Sequence, residues 1–166
     1  NADVLSNFEA NVATLAEKTK VLAYSKKSPE VQSKDAACCL FRTDTSAFRN
    51  DPELRTEAFG PASLILKARD EQELVTLAKE LEGSLTASLH VGQGDEVLAK
   101  KLLPILESKV GRILWNGFPP GVVPSPSTHH GGPWPATTDS RHTSIGLYGY
   151  RRFVRQVCRQ GFPDDD

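Results

Sequence analysis

A carboxylate and an aromatic ring stand two residues apart in the stretch Thr56 to Pro61, immediately before a Gly-Pro pair. The ionised carboxylate of Glu57 can accept two hydroxyl donors at once, and such charge-assisted hydrogen bonds are short and strong. Phe59 supplies a flat apolar wall, and Gly60 and Pro61 favour a sharp turn that holds both side chains. A carboxylate and a ring held in this way can orient a hydroxylated ligand. An ordinary loop, with a solvated Glu57 and a Phe59 that fills the core, fits the same residues.

Two adjacent histidines, His129 and His130, form a second group of side chains with chemical potential. An imidazole presents a polar, partly cationic surface that suits a carboxylate-bearing ligand. The alternative is a pair of loop histidines whose hydrogen bonds go to water and backbone. Arg141 could bind a carboxylate through two guanidinium nitrogens, and the alternative for it is a pairing with Asp139 inside the same loop.

The three cysteines form no metal-binding or redox motif. Cys38 and Cys39 are adjacent, so in a strand they point to opposite faces and cannot bind one metal ion together. With Cys158 they make an odd number, which favours reduced thiols over a disulfide framework. We therefore expect no metal site and no cysteine nucleophile in this chain, and we expect Cys38 and Cys39 to fill the core.

The composition predicts one well-buried core. The chain has 166 residues, of which 39% are hydrophobic, and its 20 basic and 21 acidic side chains nearly cancel. Without a strong net charge there is no field to attract nucleic acid or an anionic membrane. No apolar run approaches the roughly 18 residues of a membrane-spanning helix, and the first residues lack a signal-peptide pattern. We expect a cytoplasmic protein with neither nucleic acid nor membrane as a partner.

The periodicity of apolar residues predicts the elements that position these side chains. Helices are expected at Asp3 to Lys18, Asp70 to Leu81 and Asp95 to Lys109, the last weakened by Pro104, with a helical turn at Asp51 to Arg55. Strands are expected at Val21 to Tyr24, Asp35 to Thr43, Ser63 to Ala68, Leu85 to Val91 and Arg112 to Trp115. The regular alternation after Pro61 predicts an α/β fold with a mainly parallel open sheet and flanking helices.

Residues 116–141 are rich in proline and glycine, and their apolar residues show no periodicity. They are therefore predicted to form a long loop. The loop follows a strand, and ligands of open α/β sheets lie beyond the carboxyl ends of the strands, so we expect it at the mouth of a site. Residues 143–157 are expected to form a final helix that packs through Ile145, Leu147 and Phe153.

These motifs, in this order, resemble the aldehyde dehydrogenase superfamily. Residues 57–61 are similar to its Glu-x-Phe-Gly-Pro signature, and residues 83–90 and 113–117 resemble the two strands that follow it. His129-His130-Gly131-Gly132 stands where many members have Pro-Phe-Gly-Gly. Residues 131–144 and the end of the chain resemble the branch of α-ketoglutarate semialdehyde (2,5-dioxovalerate) dehydrogenases and fatty-aldehyde dehydrogenases.

The resemblance implies that residues 1–166 are a C-terminal fragment of the catalytic domain, in which residues 1–2 could be a cloning remnant. The nucleophilic cysteine, the general-base glutamate and the N-terminal cofactor-binding half would lie upstream. The complete enzyme would use NAD or NADP to oxidise an aldehyde to its acid. Glu57 would accept hydrogen bonds from the nicotinamide ribose, Phe59 would pack near the nicotinamide ring, and His130 would line the substrate pocket.

The partners implied by the resemblance are the remainder of the same polypeptide, an aldehyde substrate and further copies in a homo-oligomer. Without nucleophile and base, the isolated chain should be inactive. Two alternatives remain open. The chain could serve as a non-catalytic assembly module, or its parent could be an acylating or reductive member that handles a thioester or an acyl phosphate.

Overall fold

The computed structural model describes residues 2–25, 36–119 and 124–161. The chain divides into two compact units, residues 1–74 and 75–166, and the division falls within one helix. The expectation of one core for the whole chain is therefore wrong. None of the helices in the described ranges is long and apolar enough to cross a membrane.

The first unit contains a three-stranded sheet. Its elements are α1 (Ala2–Lys18), β1 (Lys20–Tyr24), β2 (Cys39–Asp44), α2 (Thr45–Asn50), a 3-10 helix (Pro52–Arg55), β3 (Ala62–Lys67) and the start of α3 (Glu71–Glu80). The strand order is β1-β2-β3, with β1 antiparallel to β2 and β2 parallel to β3.

The core of the first unit forms where α1 lies on the sheet. Phe8, Val12 and Leu15 recur at helical spacing, so one stripe of α1 is buried together with Phe41 of β2 and Leu54 of the 3-10 helix. Phe41 is fully inaccessible to solvent. Burying one such ring stabilises the fold by roughly 1.5–3 kcal/mol relative to leaving it exposed.

The second unit contains a two-stranded parallel sheet. It comprises the end of α3, β4 (Ser84–Leu89), α4 (Glu96–Glu107), β5 (Val110–Trp115) and a short 3-10 helix (Gly149–Phe153). α4 connects the two strands and buries Ala99 and Leu102. Both sheets thus contain a parallel pair joined by a helical crossover, which confirms the predicted α/β fold with mainly parallel pairing.

The predicted final helix at 143–157 is wrong. Only Gly149–Phe153 is helical, and as a 3-10 helix, while Gly146 has a positive φ of 92° that interrupts any longer helix. Ile145, Leu147 and Phe153 are exposed rather than packed, so the apolar stripe has no surface of this unit to bury against. Isolated helices of this length are marginal in water without such packing.

Candidate functional site

The Glu57 turn lies at the amino ends of β2 and β3. It follows the 3-10 helix, where the N–H of Thr56 donates to the carbonyl of Glu53, and it enters β3 at Ala62. The carbonyl of Pro61 accepts from the N–H of Cys39, at 2.9 Å, which ties the turn to the start of β2.

Helix α1 holds the turn from one side. The side-chain amide of Asn11 donates to the backbone carbonyl of Glu57 at 3.0 Å. Gly60 lies flat against the ring of Phe8, since a Cβ added there would stand 2.5 Å from one ring carbon and 2.7 Å from another. Phe8 belongs to the core, so Gly60 is required by close approach of the backbone to a buried ring. The turn is therefore a rigid platform.

The two side chains that this platform carries both face solvent. Phe59 is 70% exposed, which excludes the core-filling interpretation of its ring. Glu57 is also exposed, and its carboxylate makes no hydrogen bond or ion pair with any residue in the described ranges. An exposed acceptor pair beside an exposed ring, on a fixed backbone, can bind a hydroxylated ligand without first breaking an internal contact.

His130 lies in the second unit and is half-buried. Its ring Nδ1 is 3.0 Å from the hydroxyl of Ser144, and its backbone N–H donates to the hydroxyl of Thr143 at 2.9 Å. Its carbonyl accepts from the N–H of Ser144 at 3.0 Å. The hydroxyl of Ser144 orients the ring, and the two backbone contacts tie His130 into its loop whether or not a substrate reaches it.

The segment of the loop next to His130 lies at the amino ends of β4 and β5, whereas the sequence predicted the loop beyond the carboxyl ends of the strands. A Cβ on Gly83, Gly111 or Gly132 would collide with the backbone of Trp134, Gly131 or Ser84, respectively. Residues 131–134 therefore press against the first residues of β4 and β5. Glu57 and Phe59 lie in one unit and His130 in the other, and each group sits at the amino ends of the parallel pair of its own unit.

Arg141 is occupied by Asp139. Its Nε and Nη2 donate to the two carboxylate oxygens at 3.0 and 2.8 Å, and its backbone N–H donates to Asp139 as well. The guanidinium holds the pKa of Asp139 well below its usual range. This pairing indicates that Arg141 stabilises the loop, and it disfavours the alternative that Arg141 binds a carboxylate ligand.

The three cysteines differ in their exposure to solvent. Cys39 is buried in β2, and burial raises the pKa of its thiol, which disfavours the nucleophilic thiolate. Cys38 and Cys158 are exposed, so the expectation that Cys38 fills the core is wrong. No group of three or more potential metal ligands occurs among residues 2–25, 36–119 and 124–161.

Sequence reasoning missed a buried carboxylate in the first unit. Glu73 is 8% exposed and accepts hydrogen bonds from the hydroxyl of Thr45 at 2.6 Å and from the backbone N–H of Arg69 at 2.6 Å. The guanidinium of Arg69 contacts both carboxylate oxygens at 3.1–3.2 Å. The sequence did contain a signal for this carboxylate, because Asp70 and Glu73 have the spacing of a capping box. In the structure Asp70 caps α3 by accepting from the N–H of Glu73.

Comparisons with known proteins were made on sequence and on structure. No family model matches the chain. It is 41% identical over 164 residues to alpha-ketoglutaric semialdehyde dehydrogenase 2 of Azospirillum brasilense, and 40% identical over 162 residues to alpha-ketoglutaric semialdehyde dehydrogenase of Acinetobacter baylyi. The alignments cover 99% and 96% of this chain but 31% of each relative, so the chain spans about a third of their length.

The fold also matches solved structures. A double mutant of betaine aldehyde dehydrogenase from Staphylococcus aureus, in complex with NAD+, superposes with a TM-score of 0.57 at 16% identity. The match covers 92% of this chain and 29% of that one. An aldehyde dehydrogenase from Bartonella henselae superposes with a TM-score of 0.55 over 80% of this chain and 26% of that one, at 19% identity. With about 40% identity along nearly its whole length and the fold of these enzymes, the chain belongs to the aldehyde dehydrogenase superfamily.

Proposed function

We propose that the chain is the C-terminal part of the catalytic domain of an NAD(P)-dependent aldehyde dehydrogenase. The complete protein would oxidise an aldehyde to the carboxylic acid, with α-ketoglutarate semialdehyde as the first candidate substrate and a fatty aldehyde as the second. The single observation that carries this proposal is the identity of 41% over 164 residues to a semialdehyde dehydrogenase.

Glu57 and Phe59 would hold the nicotinamide end of the cofactor, and their surroundings fit that role. The carboxylate has both oxygens available for two ribose hydroxyls, and the exposed ring offers a wall for the nicotinamide. The bound cofactor would accept a hydride from the substrate. The chain's own contribution is orientation, because Gly60 against Phe8 and the bond from Asn11 keep the turn from moving.

His130 would line the substrate pocket of the complete enzyme. A polar imidazole suits the carboxylate of a semialdehyde better than an aromatic wall does. Its bond to Ser144 would keep the ring in one orientation.

The nucleophile and the general base would come from the remainder of the polypeptide. Cys39 is buried with its thiol pKa raised, and neither Cys38 nor Cys158 has a basic partner among the described residues that would generate a thiolate. We therefore expect the isolated chain to produce no NADH or NADPH when it is incubated with either cofactor and a series of aldehydes. Steady formation of reduced cofactor would overturn this assignment.

The cofactor role of Glu57 is tested in the complete protein. Each lost charge-assisted hydrogen bond costs about 1.5–3 kcal/mol, so Glu57→Gln should raise KM for the dinucleotide or lower the hydride-transfer rate by about tenfold or more. Glu82→Gln removes an exposed carboxylate from the second unit and serves as the matched control. Equal kinetics for the two variants would contradict the role of Glu57.

Assembly is a second candidate function, and a specific observation favours it. Large apolar side chains lie on the surface of the second unit, among them Phe118 at 81% exposure and Phe153 at 83%. Such surfaces commonly mark contacts with other chains or other parts of the same chain. We propose that they contact either the rest of the parent polypeptide or a second copy in a homo-oligomer.

A further inference from the structure

A groove in the first unit opens at the carboxyl ends of β2 and β3. Three segments line it: residues 17–20 at the junction of α1 and β1, residues 42–44 at the end of β2, and residues 67–69 at the end of β3. The turn that carries Glu57 enters these strands at their opposite, amino ends. Ligands of open α/β sheets lie outside the carboxyl ends of the strands, so this groove is placed where a ligand is expected.

The groove is rich in positive charge, and two of its cations already have partners. Lys18 forms ion pairs with Asp51, at 2.7 Å, and with Glu53. Arg69 is paired with Glu73. Lys18 and Arg69 are thus engaged by acidic residues that lie outside the lining of the groove.

The remaining cations are Lys20, Arg42 and Lys67, and none of their side chains makes a hydrogen bond or a close ion pair within the described ranges. Of the two acidic residues of the groove, Asp44 caps α2, where its carboxylate accepts from the N–H of Ala47 at 2.8 Å, and it is also the cross-strand partner of Lys67. Glu17 is the other acid, so the lining of the groove holds five cations and two carboxylates.

The strand register brings these cations onto one face. Lys20 of β1 is the direct cross-strand partner of Arg42 in β2, and such partners have Cβ atoms about 4.5–5.5 Å apart. Lys67 of β3 is the partner of Asp44, which lies two residues after Arg42 and therefore on the same face as Arg42. Like charges directly opposite each other destabilise a sheet, which is relieved when an anion lies between them.

We propose that this groove binds a small oxyanion that carries more than one charged group. Arg42 offers a planar fork that matches a carboxylate or a phosphate bidentately, and Lys20 lies beside it. Adjacent strands are about 4.8 Å apart, so Lys67, one strand further, contacts a second charged group of the same ligand. The shared chemistry is that of carboxylate and phosphate oxygens, and the inference does not depend on the cofactor role of Glu57.

The test is calorimetric titration of the isolated chain with pyrophosphate and, separately, with glutarate in a buffer of low ionic strength. One site with measurable heat is expected for at least one of the two anions, and their order of affinity identifies the ligand as a phosphate or a dicarboxylate. Arg42→Gln should weaken binding by about tenfold or more. Arg155→Gln removes an exposed cation from the second unit and should leave the affinity unchanged.

Thermal unfolding with and without the anion provides a second measurement, which separates a loss of anion binding from a loss of folding. Without added anion, Arg42→Gln should be at least as stable as the parent chain because it removes the like-charge pair with Lys20. With the anion, the melting temperature of the parent chain should rise and that of Arg42→Gln should not. Absence of heat with both anions, or equal loss of affinity in Arg42→Gln and Arg155→Gln, would overturn the proposal.

Discussion

The carboxylate of Glu73 is kept ionised by hydrogen bonds that outweigh the effect of its burial. Hydrogen bonds from the Arg69 guanidinium, from the Thr45 hydroxyl and from the Arg69 backbone, in that order of effect, lower its pKa from 4.5 to about 2. Because the folded state favours the ionised form, the stabilisation is fully present above pH 4.5 and is lost as the pH falls through about 2.

We therefore expect Glu73→Gln to destabilise the chain at pH 7, and the difference from the parent chain to shrink as the pH falls from 4.5 towards 2. Urea unfolding at a series of pH values measures this difference. The carboxylate of Glu82 is exposed, so Glu82→Gln is the control and should show no comparable pH-dependent loss. A Glu73→Gln penalty that stays constant over this pH range would contradict the charged pairing.

Gly60 gives a second prediction at the level of a single residue. A methyl group there would meet the Phe8 ring at 2.5 Å, and Phe8 is a core residue only 3% exposed, so either the ring or the turn has to shift. Gly60→Ala should cost about 1–3 kcal/mol, the usual penalty for overpacking. The double variant Phe8→Leu, Gly60→Ala should lose less than the sum of the two single variants in denaturant unfolding. Strict additivity would show that the two residues are not in contact.

The sequence predicted the turn at Gly60-Pro61 but not the residue that requires the glycine. Turn chemistry is local, and Gly-Pro is among its strongest signals. The contact with Phe8 joins residues more than fifty positions apart, and no spacing rule reports it. The exposure of Phe59 was likewise undecided, because a lone aromatic beside a turn fits the core and the surface equally.

Elements with strong periodicity were predicted within a few residues, and elements that depend on capping or tertiary support were not. α1, α3 and α4 each bury a stripe at helical spacing, and sequence shows such a stripe directly. α2 was missed because its six residues are too few for a stripe, and its start is set by the cap from Asp44. Residues 143–157 also show an apolar stripe at helical spacing, but they form no long helix because the stripe has no surface to pack against.

Asn116 connects the ends of the two strands in the second unit. It follows β5 with a φ of 49°, and its side chain accepts from the N–H of Val91 at 2.6 Å and donates to the carbonyl of Val91 at 3.2 Å. The left-handed conformation favours asparagine or glycine, so the residue type serves both the backbone and the bond.

Asn116→Ala should destabilise the second unit by about 1–3 kcal/mol, because it removes both hydrogen bonds and puts in the left-handed conformation a residue that favours it less than asparagine does. Asn116→Gly loses the same bonds but tolerates the backbone, so its loss should be smaller. Trp115 and Trp134 both lie in this unit, and tryptophan fluorescence during urea unfolding measures the difference. Equal stability of the two variants would show that the backbone conformation of residue 116 does not contribute to the difference.

At the scale of the whole molecule, the balance of apolar surface is unusual. Eleven apolar residues in the described ranges are buried, whereas nineteen large ones are exposed. Single exposed apolar residues are normal, but such an excess means that each unit leaves surface that a folded protein would usually cover. The relatives are about three times longer than this chain.

The isolated chain should therefore associate with itself over about 1–100 µM, since exposed apolar surface drives association in this range. Sedimentation velocity should show a mass that rises with concentration. Replacing two highly exposed rings of the second unit, Phe118→Ser with Phe153→Ser, should shift the chain towards monomer. The matched variant Phe118→Leu with Phe153→Leu keeps apolar surface and should still associate. A chain that stays monomeric at every concentration would exclude contact with a second copy through these rings, while the cofactor role of Glu57 would stand.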